Sequence, residues 1–222
     1  MPLLSLRLCG RIGLMALMLT ACSFHQTPPA FTATGYIADR GAVRLWRKDD
    51  TASERVTLES VYSPYRGADT VVTRYEYQQG EVRQIRRQQS GEQPETVQLR
   101  FDQQGKLSFM QRERGQRRES LSDDETALYA FEARRVLEIS QALRAGQVRL
   151  KQGIWHNGVI TLCQGGTATP DFDARAAGWL AGRTRNASGD LGIAWLDAPE
   201  GTQLLLVANE NFCRWQPNEN DL

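Results

Sequence analysis

Histidine is almost missing from this 222-residue chain, which carries only His25 and His156. The short motifs that build common catalytic centres are missing too. There is no His-Glu-x-x-His, no Gly-x-Ser-x-Gly elbow, no Walker loop and no dinucleotide-binding glycine fingerprint, which removes the enzyme classes those motifs mark. Gly165-Gly166-Thr167 is too short and wrongly placed to cradle a phosphate. Cysteine is scarce, at four residues with no Cys-x-x-Cys spacing, which argues against thioredoxin-like redox chemistry. No apolar run reaches the ~20 residues that span a bilayer. Net charge is only +1, so no global basic field argues for nucleic acid. No repeat recurs at a fixed period, against a solenoid or propeller. The reading is of a chain with no catalytic residue, metal site or cofactor.

What the chain does have begins at its N-terminus. Arg7 and Arg11 precede an apolar stretch from Ile12 to Ala21, which runs into Ser23-Phe24-His25-Gln26-Thr27-Pro28-Pro29. A cationic start, a short apolar run and small residues before a cut are the layout of a secretory signal. Leu19-Thr20-Ala21-Cys22 resembles the lipobox of bacterial lipoproteins. That resemblance implies removal of residues 1–21, acylation of Cys22 and attachment to a membrane through the lipid; two or more acyl chains anchor stably where one does not. Ser23, standing where an aspartate holds such proteins at the inner membrane, implies export to the periplasmic face of the outer membrane. An ordinary secretory signal with a chance cysteine is the competing reading. Losing Arg7 and Arg11 from the 27 basic residues leaves 25 against 26 acidic ones, a near-neutral mature chain.

In that oxidising compartment Cys163 and Cys213 are the one even pair left, and a disulfide is expected. Closing a loop of this span stabilises by about 4 kcal/mol in the chain-entropy model. A zinc site would need more ligands than nearby His156 supplies.

Hydrophobic residues make up 41% and charged residues 24%, the balance of a folded domain rather than a disordered tail. Residues 22–34 read as a flexible tether and 35–222 as one globular domain. Over 35–120, period-two alternation (Val71, Thr73, Tyr75, Tyr77; Val97, Leu99, Phe101) broken at Gly80 and Gly105 predicts an antiparallel meander with one wet face. Over 121–146, Ser122 and Glu125 form a capping box ahead of an amphipathic helix stopped by Gly146. Its apolar face is read as Leu128, Phe131, Val136, Ile139, Ala142 and Leu143, with Glu132 and Arg135 as a rim ion pair. Over 147–222 a second antiparallel set follows, with a hairpin turn at His156-Asn157-Gly158, a strand opening at Trp179-Leu180 and two more at 191–196 and 203–208. The fold class is α+β and β-rich.

Three sets of side chains are candidates for function. Arg86, Arg87, Arg112, Arg114, Arg117 and Arg118 concentrate in the meander, and guanidinium forks match phosphate and carboxylate. An envelope protein or an anionic glycolipid is the expected partner, against the alternative of a solvated face neutralised by Glu81, Glu92, Glu95, Glu113 and Glu119. Asp171, Asp173, Asp190, Asp197 and Glu200 crowd the C-terminal region, where two at the right separation would make a glycan hydrolase. Trp155, Trp179, Trp195 and Trp215 suit a glycan platform or protein hot spot, or simply a β core. A carrier of a small apolar ligand, with a cavity between sheet and helix, is a further alternative. With the lipobox, the capped helix and the paired cysteines together, the chain resembles an enterobacterial family of small envelope lipoproteins classed as a domain of unknown function. That resemblance transfers no site residues.

Overall fold

The computed structural model describes residues 28–222 apart from 68, 157, 158 and 188. The segment read as a secretory signal, Cys22, and Asn157 and Gly158 of the predicted hairpin turn therefore lie outside the described residues. Eight strands follow one another in strict meander order: β1 (Phe31–Ala38), β2 (Gly41–Asp50), β3 (Arg55–Pro64), β4 (Val71–Gln78), β5 (Glu81–Gln89), β6 (Glu95–Phe101), β7 (Leu107–Arg114) and β8 (Arg117–Glu119). All pair antiparallel with their sequence neighbours. Helix α1 (Asp123–Ala145) comes next. β9 (Arg149–His156), β10 (Val159–Leu162), β11 (Thr167–Ala168), helix α2 (Ala174–Arg185), β12 (Leu191–Ala198) and β13 (Gly201–Ala208) follow. The second sheet runs β11-β10-β9-β12-β13.

These elements stack in four layers, and β2 explains why. Alternate residues of a strand point to opposite faces. Val43, Leu45 and Arg47 turn to α1, where Leu58, Tyr75, Tyr77, Ile85, Val97 and Leu99 meet Ala133, Val136 and Leu137. Ala42, Arg44 and Trp46 turn the other way, onto Ala194, Leu196, Leu205, Leu206 and Phe212 of the second sheet and its C-terminal extension. The outer face of the second sheet, Leu191, Ile193, Trp195 and Val207, is covered by Phe172 and by Leu180 of α2. A strand buried on both faces reads as an apolar run, and the arginines in β2 interrupt that run.

Helix α1 is capped as its sequence demands. Ser122 Oγ accepts from the Glu125 N–H at 3.2 Å, and the Glu125 carboxylate accepts from the Ser122 N–H at 2.8 Å. The helix docks through small residues and polar links. The Tyr77 hydroxyl donates to the Ala133 carbonyl at 2.7 Å, and Arg47 Nη1 donates to Ser140 Oγ at 2.8 Å. Its buried face differs from the one expected. Ala133, Val136, Leu137 and Ser140 are buried, whereas Leu128 and Phe131 are 60% and 53% exposed. At 100° per residue those two lie on the far side of the helix from Ala133, and the small residues that permit close approach decide which side docks. The Glu132–Arg135 rim pair forms at 2.7 Å.

Two further readings are corrected. The strand predicted at Trp179-Leu180 is the middle of α2, so the described residues hold two α-helices rather than one. Asp173 caps it by accepting from the Ala176 N–H at 2.7 Å, and the alanines after it favour helix; Gly178 and Gly182 each cost about 1 kcal/mol of propensity and mask the pattern. Phe31–Thr34, read as part of a flexible tether, instead belong to β1 and pair with Lys48–Leu45. Cys163 and Cys213 are joined, with Cα atoms 5.1 Å apart. The bond ties the end of β10 to the 3₁₀ turn at Phe212–Trp215 rather than strand to strand.

Candidate binding groove

The centre of the molecule holds a cation. Arg44 is 0% exposed at the seam between the sheets. Its Nη1 donates to Gln152 Oε1 at 3.1 Å, its Nη2 donates to Ser63 Oγ at 2.9 Å, and its guanidinium lies 4.8 Å from the centre of the Phe212 ring. Every partner is neutral, and Nε has none among the described residues. Taking a charge out of water without a counter-charge is costly. That burial pushes the Arg44 guanidinium down to about 10, against the nearby negative charge of Glu210, and Arg214 adds to the lowering. The side chain stays charged at neutral pH. The Phe212 ring reaches it because residue 192 is glycine: a Cβ there would sit 2.0 Å from the Glu210 carbonyl and 3.0 Å from Phe212.

Ser63 and Phe212 also line a groove of about 840 Å³, within the usual range for ligand sites. Its floor is β13, from Thr202 to Ala208. One wall is the end of β3 and the segment after it, with Ser63, Pro64, Tyr65 and Thr70. The other is α2, with Asp173, Arg175, Ala176, Trp179 and Arg183. Arg175, Trp179 and Arg183 recur every four residues and so share one side of the helix. Trp179 and Tyr65 are 51% and 48% exposed, on opposite walls.

The groove's charges are not equally available. Asp173 is committed to capping α2. Glu210 accepts from Arg214 Nη2 at 2.7 Å and Trp215 Nε1 at 2.6 Å. The side chains of Arg175 and Arg183 have no hydrogen bond or ion pair among the described residues, and both are exposed. The groove therefore offers uncommitted positive charge beside an apolar strand.

The six arginines of the meander are placed differently. Register puts Arg87, Arg112, Arg114 and Arg117 on the α1 face, in line with buried Val97, and puts Arg86 and Arg118 on the opposite face. Arg87, Arg112 and Arg114 converge on Glu95 at 2.8, 3.4 and 2.7 Å. Arg112 also meets Glu125 at 2.6 Å, and Arg118 meets Glu113 at 3.0 Å. Burial opposes the charge on Arg112, but the hydrogen bond and charge of Glu125, with Glu95 behind, outweigh it and raise its affinity for the proton. The Ser122 N–H and the Arg112 guanidinium in turn hold the Glu125 carboxyl down to about 2. Only Arg86 and Arg117 are uncommitted, on opposite faces.

The C-terminal carboxylates are also dispersed in their roles. Asp190 pairs with His156 at 2.5 Å, and Asp197 accepts from Trp195 Nε1 at 3.0 Å and Thr202 Oγ1 at 3.3 Å. Asp171 and Glu200 are exposed, and of the five only Asp173 lines the groove. Among the tryptophans, Trp195 is buried, Trp155 packs against the outer core, and Trp215 stacks under Arg214 with 4.6 Å between them. Trp179 alone faces the groove. Among the described residues no three His, Cys, Asp or Glu side chains form a metal-holding group, and no helix is long and apolar enough to cross a membrane.

Residues 33–218 match the family described as "Protein of unknown function (DUF1481)". The chain belongs to that family. It is 45% identical over 206 residues to the Escherichia coli (strain K12) protein named "Uncharacterized protein YjaH", an alignment covering 92% of this chain and 88% of that one. No solved structure matches. Every residue of the groove falls inside the DUF1481 span, so the groove belongs to the family's domain rather than to an appendage of it. Sequence reasoning missed Arg44, Gln152, Phe212, Tyr65, Arg175 and Arg183 in this domain. The four-residue spacing of Arg175, Trp179 and Arg183 is a usable signal that a strand reading of this stretch hides.

Proposed function

We propose that this protein is a non-enzymatic binding protein, anchored by acyl chains on Cys22 at the periplasmic face of the outer membrane, and that it holds an envelope partner in the groove along β13. The groove carries the reading: an apolar strand, two half-exposed aromatic side chains and two uncommitted arginines converge there. Exposed aromatics and arginine are the side chains that dominate binding energy at protein interfaces. The segment Leu19-Thr20-Ala21-Cys22 supports the anchoring, and Ser23 supports the outer membrane. Eight residues separate Cys22 from the first strand, a reach of at most about 30 Å, so the groove would work close to the lipid surface. The meander arginines, mostly paired with glutamates, are a weaker site for the anionic glycolipid also considered.

Two measurements test this. Mass spectrometry of the mature N-terminus should find an acylated Cys22, and Cys22→Ser should move the protein from the outer-membrane fraction to the soluble periplasm. A photo-crosslinking residue at position 179 should capture a partner in intact cells, while one at position 86 should not. An unmodified N-terminus, or capture from position 86 alone, contradicts the proposal.

A further inference from the structure

We infer that the groove accepts an extended acidic peptide, which adds to β13 as a sixth strand and sets two carboxylates, four residues apart, against Arg175 and Arg183. The inference rests on the groove being a binding site, as argued above, and names its occupant.

The first support is the shape of the floor. A cavity over one face of a strand touches alternate residues, because successive side chains point to opposite faces. This groove is lined by seven consecutive residues, Thr202 through Ala208, so it runs along the strand's edge. Among the described residues β13 ends its sheet and pairs only with β12. No other backbone–backbone hydrogen bond of β13 is present among the described residues. The second support is the character of that edge. Proteins blunt open edges with charge, proline, brevity or a cover. β8 is three residues, all charged, and β11 is two residues. β13 is eight residues, Gly-Thr-Gln-Leu-Leu-Leu-Val-Ala, without charge or proline. Pairing of an extended segment with such an edge is a recurring recognition mode, in which the ladder supplies affinity and wall side chains supply specificity.

The third support is charge. The cations of the wall are free and its carboxylates are committed, while Arg44, which has no ion-pair partner among the described residues, adds positive charge directly behind Ser63 and Phe212. An anionic occupant would supply the partner that Arg175 and Arg183 lack and would add to the negative charge that Glu210 sets near Arg44. The spacing follows from geometry. Eight helical residues from Arg175 to Arg183 rise about 12 Å, and an extended strand covers that in about four residues. Residues i and i+4 of a strand share a side, with i+2 between them. The expected pattern is thus acidic-x-apolar-x-acidic, with the central side chain against Trp179.

The test uses purified full-length lipidated protein in detergent and a fluorescein-labelled nine-residue peptide of alternating threonines, with leucine at its centre and aspartates two residues to either side. Polarisation should show saturable binding. Arg175→Glu with Arg183→Glu should weaken it at least tenfold while leaving the melting temperature unchanged, since both side chains are exposed and unpaired. Replacing the aspartates with lysines should abolish binding. Methylating alternate backbone nitrogens along one edge of the peptide should abolish binding, whereas methylating the other edge should not, because strand addition uses one edge only. Amide exchange should slow in β13 on binding. No peptide binding while position 179 still captures a partner overturns this inference and leaves the groove as a site. Equal binding by both methylated peptides overturns strand addition. Capture of phosphatidylglycerol vesicles in place of the peptide, through the same two arginines, overturns the peptide as occupant.

Discussion

Sheet one ends at β8, three charged residues of which Arg118 meets Glu113 and Glu119 meets Arg114 of β7, whereas sheet two ends at β13, eight residues with no charge at all. Both sheets are antiparallel, and both bury one face in the seam around Trp46. They differ in what their outer parts are left to do. In the meander, Glu95 alone takes up three arginines, so a surface that looks strongly cationic in sequence is largely self-neutralised. In the second sheet, the two arginines beside the terminal strand have no carboxylate, and the nearest acids are occupied. Cation content alone therefore misleads; what matters is which cations lack partners.

The comparison makes the seam the most sensitive place in the molecule. Trp46 is 1% exposed between the two sheets, and Trp46→Ala should cost about 3–5 kcal/mol, as other buried aromatic truncations do; chemical denaturation measures it. If the sheets instead melt in two separate transitions, they are independent units and the seam account fails. Next comes the disulfide, which staples sheet two alone. Cys163→Ser with Cys213→Ser should cost about 4 kcal/mol from loop closure, and proteolysis should open the 163–213 segment before it touches the meander.

Arg44→Met sharpens the contrast between stability and function. The substitution removes the desolvation cost of a buried charge, but also the donor that Gln152 Oε1 and Ser63 Oγ accept from, and these effects oppose one another. The variant should thus melt close to the parent temperature yet bind the acidic peptide more weakly, because the positive charge behind the groove is gone. A large loss of stability would make Arg44 a purely structural residue.

The smallest effect belongs to sheet one's link to α1. The Glu125 carboxyl is held at about 2, below its ordinary 4.5, by the Ser122 N–H and by Arg112. A group with a lowered folded value stabilises above its unfolded value and loses that contribution as pH falls. Stability of the parent should therefore fall between about pH 4.5 and 2, and Glu125→Gln should flatten part of that slope in pH-dependent melts. An unchanged slope would mean the clamp contributes nothing.

Local patterns were legible where one segment carried the whole signal. The Ser122–Glu125 box and the hairpins through Gly80 and Gly105 stand as read, because each is decided within a few residues. The pairing of Cys163 with Cys213 was reached by counting. The docking face of α1 was not legible, since Leu128 and Phe131 look like core residues and only the sheet beneath selects Ala133 and Ser140. α2 was obscured by its two glycines. The groove itself was out of reach: Arg44 meets Gln152 across 108 residues, and Tyr65 faces Trp179 across a comparable gap. No periodicity encodes such meetings.

The central claim is that binding belongs to the edge of sheet two rather than to the arginines of sheet one. Paired charge reversals test it most directly, by comparing partner capture in intact cells for Arg175→Glu/Arg183→Glu and for Arg86→Glu/Arg118→Glu, with a photo-crosslinking residue at position 65 in both. The account predicts that capture is lost with the first pair and kept with the second. Capture kept with the first pair and lost with the second would contradict it.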